Sequence, residues 1–114
     1  MANDPIRGHT IRWQYDDGPT KGQRFEHTFY DDGTCSYRMA TDESTPDAIT
    51  DVGERPRYEV ADAGDDAWLV TYLAPSGWAL TTVLDMKTKR IVSVASNEKQ
   101  IFVQRGSFED RGRR

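Results

Sequence analysis

A chain of 114 residues with a net charge of −4 is the size of one ordinary domain, and its single cysteine, Cys35, rules out an internal disulfide. Nucleic-acid binding needs a basic stripe, and the one basic cluster, Arg105, Arg111, Arg113 and Arg114, reads as a solvated, frayed tail; no nucleic-acid partner is expected. No apolar run approaches the roughly 18 residues of a membrane helix and none follows Met1, so no membrane contact and a cytoplasmic location are expected.

The apolar pattern has period two, which predicts strands. His9 to Tyr15 alternates Ile11, Trp13 and Tyr15 with Arg12 and Gln14. Gln23 to Tyr30 alternates Phe25, His27 and Phe29 with Arg24, Glu26 and Thr28. Gly33 to Met39 alternates Cys35, Tyr37 and Met39 with Thr34, Ser36 and Arg38. Arg57 to Ala61 is short. Ala67 to Leu73 and Trp78 to Leu84 are apolar on both faces, and Arg90 to Ser96 and Gln100 to Phe108 complete the set. β-branched and aromatic residues dominate these runs, as strands prefer.

The breaks are turns. Asp31-Asp32-Gly33 joins two strands directly, and Gly33 supplies the positive φ of a tight hairpin. Ala63 to Asp66, Ala74 to Gly77 and Asp85 to Lys89 are similarly short, which requires antiparallel neighbours. Ala40 to Pro56 is the one long connection, and Pro46 after Thr45 suits the first turn of a short helix. The predicted fold class is all-β: one domain over residues 1–114, with its core at about 9–108. It forms a closed, antiparallel up-and-down barrel of about eight strands, wide enough for one small ligand.

Metal chemistry has little support. His9 and His27 lie far apart, Cys35 is alone, and no CxxC or HxxxH spacing exists, so neither a metal nor a cofactor is expected. The chemistry-bearing group is aromatic and cationic: Trp13, Tyr15, Tyr37, Arg38 and Tyr72. Tyrosine hydroxyls and a guanidinium suit a planar carboxylate, and the rings suit the apolar body of such a ligand. His27 shares a face with Phe25 and Phe29, where a hydrogen-bonded structural histidine or an acid–base group both fit. Parity opposes one member: if Cys35, Tyr37 and Met39 face inward, Arg38 faces out.

The stretches Ile11 to Gly18, Phe25 to Phe29, Asp32 to Arg38, Tyr72 to Gly77 and Ala95 to Lys99 together resemble MoaF-like proteins. The resemblance covers about His9 to Phe108 and implies a calycin, or lipocalin-like, barrel; the family name is linked to molybdenum-cofactor biosynthesis. A more distant similarity is to phenolic acid decarboxylases, cofactor-independent enzymes of that superfamily. It implies that Trp13 and Tyr15 stand where those enzymes carry two tyrosines, that Arg38 after Tyr37 faces the pocket as their arginine does, and that Asp65 stands near their catalytic glutamate. Two departures weaken the implied activity. Trp13 has no hydroxyl, and Asp65 is one methylene shorter than glutamate. The catalytic candidates are therefore Tyr15, Arg38 and Asp65. The ligand-binding candidates are Trp13, Tyr15, His27, Tyr37, Arg38 and Tyr72.

Three functions follow as expectations. The first is a binding protein for an apolar or aromatic small molecule with an anionic group. The second is a cofactor-independent lyase, isomerase or cyclase, and the third an accessory protein-interaction domain. The doubly apolar runs Ala67 to Leu73 and Trp78 to Leu84 exceed what one barrel interior can use, which predicts a homodimer through their outer surface.

Overall fold

The computed structural model describes residues 4–39 and 55–113. The expected helical turn at Thr45 and Pro46 lies outside them. Eight strands follow in chain order: β1 His9–Tyr15, β2 Arg24–Phe29, β3 Cys35–Met39, β4 Tyr58–Gly64, β5 Ala67–Leu73, β6 Ala79–Asp85, β7 Arg90–Ser96 and β8 Ile101–Arg113. They form one antiparallel sheet in the order β3-β2-β1-β8-β7-β6-β5-β4. Among the described residues none lies in a helix long and apolar enough to cross a membrane.

The sheet curls into a half-barrel whose two edges, β3 and β4, touch at one end instead of pairing along their length as a fully closed barrel would. Thr34 and Arg57 form an isolated bridge, flanked by Cys35 N donating to Pro56 O (2.9 Å) and Tyr58 N donating to Gly33 O (3.0 Å). The all-β, eight-stranded architecture matches the expectation. Gly33 has φ +92° and its N–H donates to Tyr30 O, so the predicted hairpin closes there.

Two regions differ from the sequence reading. The last strand runs on past Phe108, so Arg111 and Arg113 are strand rather than frayed tail: β8 pairs with β7 over Ile101 to Ser107 and with β1 over Gly106 to Arg113. The first strand needs a partner along its free side, and β8 supplies it. His9 Nδ1 lies 2.9 Å from Asp110 Oδ2 and reinforces that pairing. The change of partner occurs at Gly106, where a Cβ would lie 1.8 Å from Gln14 O; only glycine lets the two backbones approach this closely. The second difference is at the N-terminus. Ile6 is fully buried, with Asp4 Oδ1 accepting its N–H at 2.9 Å. A lone isoleucine between Pro5 and Gly8 carries no periodic signal, so the core begins earlier than expected.

The core follows the inward phase of each strand: Ile11, Trp13 and Tyr15, then Phe29, Cys35, Tyr58, Val70, Leu84, Ile91 and Phe108. Register sets the neighbours. Trp13 is opposite Phe25 on one side and Phe108 on the other, while Tyr15 is opposite Gly106. The opposite phase of β1–β3 carries charge in register: Arg12 faces Glu26, and Glu26 faces Arg38.

Candidate functional site: an aromatic cavity

Inward residues on the first three strands are bulky: Trp13, Tyr15, Phe25, His27 and Tyr37. On the far side the chain offers Ala74, Ala79 and Ala95, too short to meet those rings. The difference in reach leaves a cavity of about 290 Å³. It is also lined by Thr20, Tyr72, Ser76, Trp78, Leu80, Phe102 and Gln104. Trp78 and Phe102 pack against each other, ring centres 5.6 Å apart, and the Thr20 N–H and hydroxyl both donate to Gln104 Oε1 at 2.7 Å. These contacts tie the β5–β6 and β1–β2 connections to β8.

Among the described residues, no lysine, arginine, aspartate or glutamate lines the cavity.

Two polar groupings accompany the cavity. In the first, Trp13 Nε1 donates to Tyr15 Oη (3.0 Å), Tyr15 Oη donates to Ser93 Oγ (2.8 Å), and Ser93 Oγ lies 2.7 Å from Thr82 Oγ1. All four residues are buried. Burial pushes the Tyr15 hydroxyl above its usual range, more than the hydrogen bonds to Ser93, Trp13 and Thr82 lower it. The ring of Tyr15 faces the cavity, but its hydroxyl belongs to this chain, so the phenol stays protonated and engaged.

In the second grouping His27 Nε2 and Tyr72 Oη share a hydrogen bond of 2.7 Å. The imidazole stacks on Trp13, centroids 4.1 Å apart, and near Phe29 and Tyr37 at 5.8 Å. Its Nδ1 has no hydrogen-bond partner among the described residues. With Nε2–H donating to Tyr72, Nδ1 holds only a bare lone pair, which costs less than an orphaned N–H. Charging the ring would strand a cation among aromatic faces, and burial lowers the His27 pKa to about 3.

The structure thus brings together Trp13, Tyr15, His27, Tyr37 and Tyr72. It does not bring Arg38 or Asp65 to them. The guanidinium of Arg38 engages Glu26 on the opposite face of the sheet, with Nε donating to Oε1 at 3.0 Å. Strand parity placed Arg38 outside, and its cross-strand partner Glu26 explains why it stays there. Arg12 Nη2 donates to the other carboxylate oxygen at 2.9 Å. Burial raises the Glu26 pKa, but the bonds from Arg38 and Arg12 outweigh it and hold the carboxyl ionised. Asp65 sits in the β4–β5 turn with φ 53°, its side chain 92% exposed and paired to Lys87 Nζ at 2.8 Å.

Sequence reasoning missed Thr82, Ser93 and Gln104. Each is a polar residue on an otherwise apolar inward phase: Thr82 between Leu80 and Leu84, Ser93 between Ile91 and Ala95, Gln104 between Phe102 and Gly106. That break in pattern was the available signal.

Comparison with known proteins agrees with this architecture. A crystal structure described as a "putative beta-lactamase" from Burkholderia vietnamiensis aligns with a TM-score of 0.71 over 96% of this chain and 99% of that chain. Identity is 15%, so the likeness shows the fold alone. No curated protein sequence matches significantly. The family model of the MoaF N-terminal domain matches residues 2–100. The resemblance read from the strand and turn motifs is therefore a relationship, and the chain belongs to the MoaF N-terminal domain family.

Proposed function

We propose that this domain is a calycin-type binding protein for one small, neutral, apolar or aromatic molecule. The observation that carries the reading is the 290 Å³ aromatic cavity, with no charged side chain among the described residues that line it. Its volume is near the lower end of the roughly 300–1,000 Å³ typical of ligand sites, which suits one fused-ring compound of about ten non-hydrogen atoms. Trp13, Phe25, Tyr37 and Trp78 supply ring faces. Gln104, Ser76 and Thr20 supply the few polar contacts near the end of the sheet.

This reading alters the expected ligand in one respect. An anionic group was expected because Arg38 was a candidate for the pocket. With Arg38 held by Glu26 across the sheet, an anion in the cavity would be buried without a partner, at a cost of several kcal/mol. A neutral ligand avoids that cost. The same geometry argues against acid decarboxylation, since neither Arg38 nor Asp65 reaches the cavity. β-Lactam hydrolysis through a serine and a lysine finds no support either, because Ser76 has no lysine among the other lining residues.

A proton-shuttling isomerase is the second reading, favoured by one observation: His27 and Tyr72 form a short hydrogen bond and both line the cavity. Its low basicity suits a proton relay better than abstraction from carbon.

Calorimetric titration with naphthalen-2-ol and naphthalene-2-carboxylate separates the ligand classes. The neutral probe is expected to bind, and the carboxylate at least ten-fold more weakly. Equal or tighter binding of the carboxylate would overturn the neutral-ligand reading. Tyr72→Phe addresses the second reading: a tautomerisation lost in that variant while probe binding persists would establish an enzyme.

A further inference from the structure

Gln104 is an amide on the inward phase of β8, only 3% exposed. A buried primary amide has two N–H donors and one carbonyl acceptor to place. The protein places only the acceptor. The Thr20 N–H and hydroxyl both bond to one atom of the amide, each at 2.7 Å. A backbone N–H can only donate, so that atom is the oxygen and the orientation of the amide is fixed. The other end, Nε2, makes no hydrogen bond among the described residues. It is not sealed in either: among those residues His27 Nδ1 is the one side-chain nitrogen or oxygen both enclosed and unbonded. Nε2 therefore borders open space, and the open space beside Gln104 is the cavity that the residue lines.

The donors are also held in place. Gly18, with φ +83°, lies against the stem of Gln104, where a Cβ would come within 2.4 Å of Cγ. The same turn is anchored to the next residue of β8: the Asp16 N–H donates to Arg105 O and the Arg105 N–H to Asp17 Oδ1, both at 2.7 Å. Donors fixed in advance need little ordering when a ligand arrives. We propose that Gln104 selects the ligand of this cavity by donating from Nε2 to a neutral oxygen acceptor, so that the ligand class is aromatic carbonyl compounds: ketones, lactones or amides. The proposal rests on the reading of the cavity as a site for a neutral ligand and narrows it. A hydrocarbon that filled the space would cover the Nε2 donors and leave them unsatisfied, which a carbonyl oxygen avoids. A ligand group that can only donate would meet N–H groups head on.

Calorimetric titration with indan-1-one and indane tests this, because the two share a fused-ring frame and differ by one carbonyl. Both should bind the parent chain. Gln104→Glu keeps an oxygen for Thr20 and exchanges the amide donors for a second acceptor. It should weaken indan-1-one about ten-fold, the upper end for one neutral hydrogen bond, and change indane by no more than about two-fold. The infrared carbonyl stretch of isotope-labelled, bound indan-1-one should lie at lower frequency in the parent chain than in the variant, a signature that altered packing alone would not give. If the buried carboxylate makes Gln104→Glu melt early, Gln104→Met removes the donors without adding charge and should show the same selective loss. An indan-1-one affinity that falls no more than that of indane in both variants overturns the proposal and leaves the cavity reading standing. Failure of indane, indan-1-one and naphthalen-2-ol alike to bind the parent chain overturns the cavity reading, and this proposal with it.

Discussion

The wall formed by β1–β3 and the wall formed by β5–β8 divide their chemistry in opposite ways. On the first, the inward face is aromatic and the outward face is ion-paired; Arg12 is only 7% exposed despite its outward phase. On the second, the inward face includes the short side chains Thr82, Ser93 and Ala95, and the outward face includes the exposed aliphatic residues Leu73, Val92, Ile101 and Val103. Rings on one side with short side chains on the other leave a space that neither wall fills alone. The cavity is thus a difference in side-chain reach, not a separate feature added to the fold. Outside, the charged ladder of the first wall is satisfied within the chain, while the second wall keeps apolar surface uncovered.

The largest expected effect comes from removing the bulk of the aromatic wall. Trp13 is 1% exposed, stacks on His27 and donates to Tyr15. Trp13→Ala should cost about 3–5 kcal/mol, the range for deleting a large buried ring, read from denaturant unfolding. A loss under 1 kcal/mol would show that the wall does not depend on it.

Acid provides the next test of the same wall. The unfolded His27 ring takes a proton near its ordinary pKa of about 6.5, the folded ring only near 3. Between those values the unfolded state binds the extra proton. Stability is therefore full above about pH 6.5 and falls with acidification, by up to about 1.4 kcal/mol per pH unit. The depressed carboxyls Asp17, Glu26, Asp32 and Asp85 act at lower pH, so the interval between pH 6.5 and 5 reports His27. His27→Gln should flatten the curve in that interval. An equally steep curve in the variant would contradict a buried neutral imidazole.

How much of this was legible in the sequence varies with the kind of signal. Period-two alternation and turn glycines carried the strands, and the ends of β1, β5 and β7 agree with the structure to the residue. Local patterns carried the last strand to Phe108 but could not reveal that Arg111 and Arg113 would be drawn into β8, because the cause is a distant strand, β1, needing a partner. The site was half legible. Trp13, Tyr15, His27, Tyr37 and Tyr72 share an inward phase and do line one cavity. Arg38 was placed correctly by parity and drawn inward by analogy; the deciding fact, Glu26 directly opposite, is a cross-strand pairing that alternation alone does not give. The cavity itself depends on Ala74, Ala79 and Ala95, and the space beside a small residue leaves no mark in a sequence.

The smallest expected effect follows from Arg38. Its side chain is about one-third exposed and paired to Glu26, so Arg38→Met should lower stability by at most about 1 kcal/mol. It should leave the affinity for naphthalen-2-ol unchanged. A ten-fold loss of binding would return Arg38 to the site.

The most direct measurement fills the space between the walls. Ala95 lines the cavity and is 8% exposed, so Ala95→Leu adds bulk where the aromatic wall has none to meet. The variant should fold with a melting temperature close to that of the parent chain and should lose calorimetric binding of naphthalen-2-ol by ten-fold or more. A folded variant that binds the probe as tightly as the parent chain would show that the ligand does not occupy this cavity.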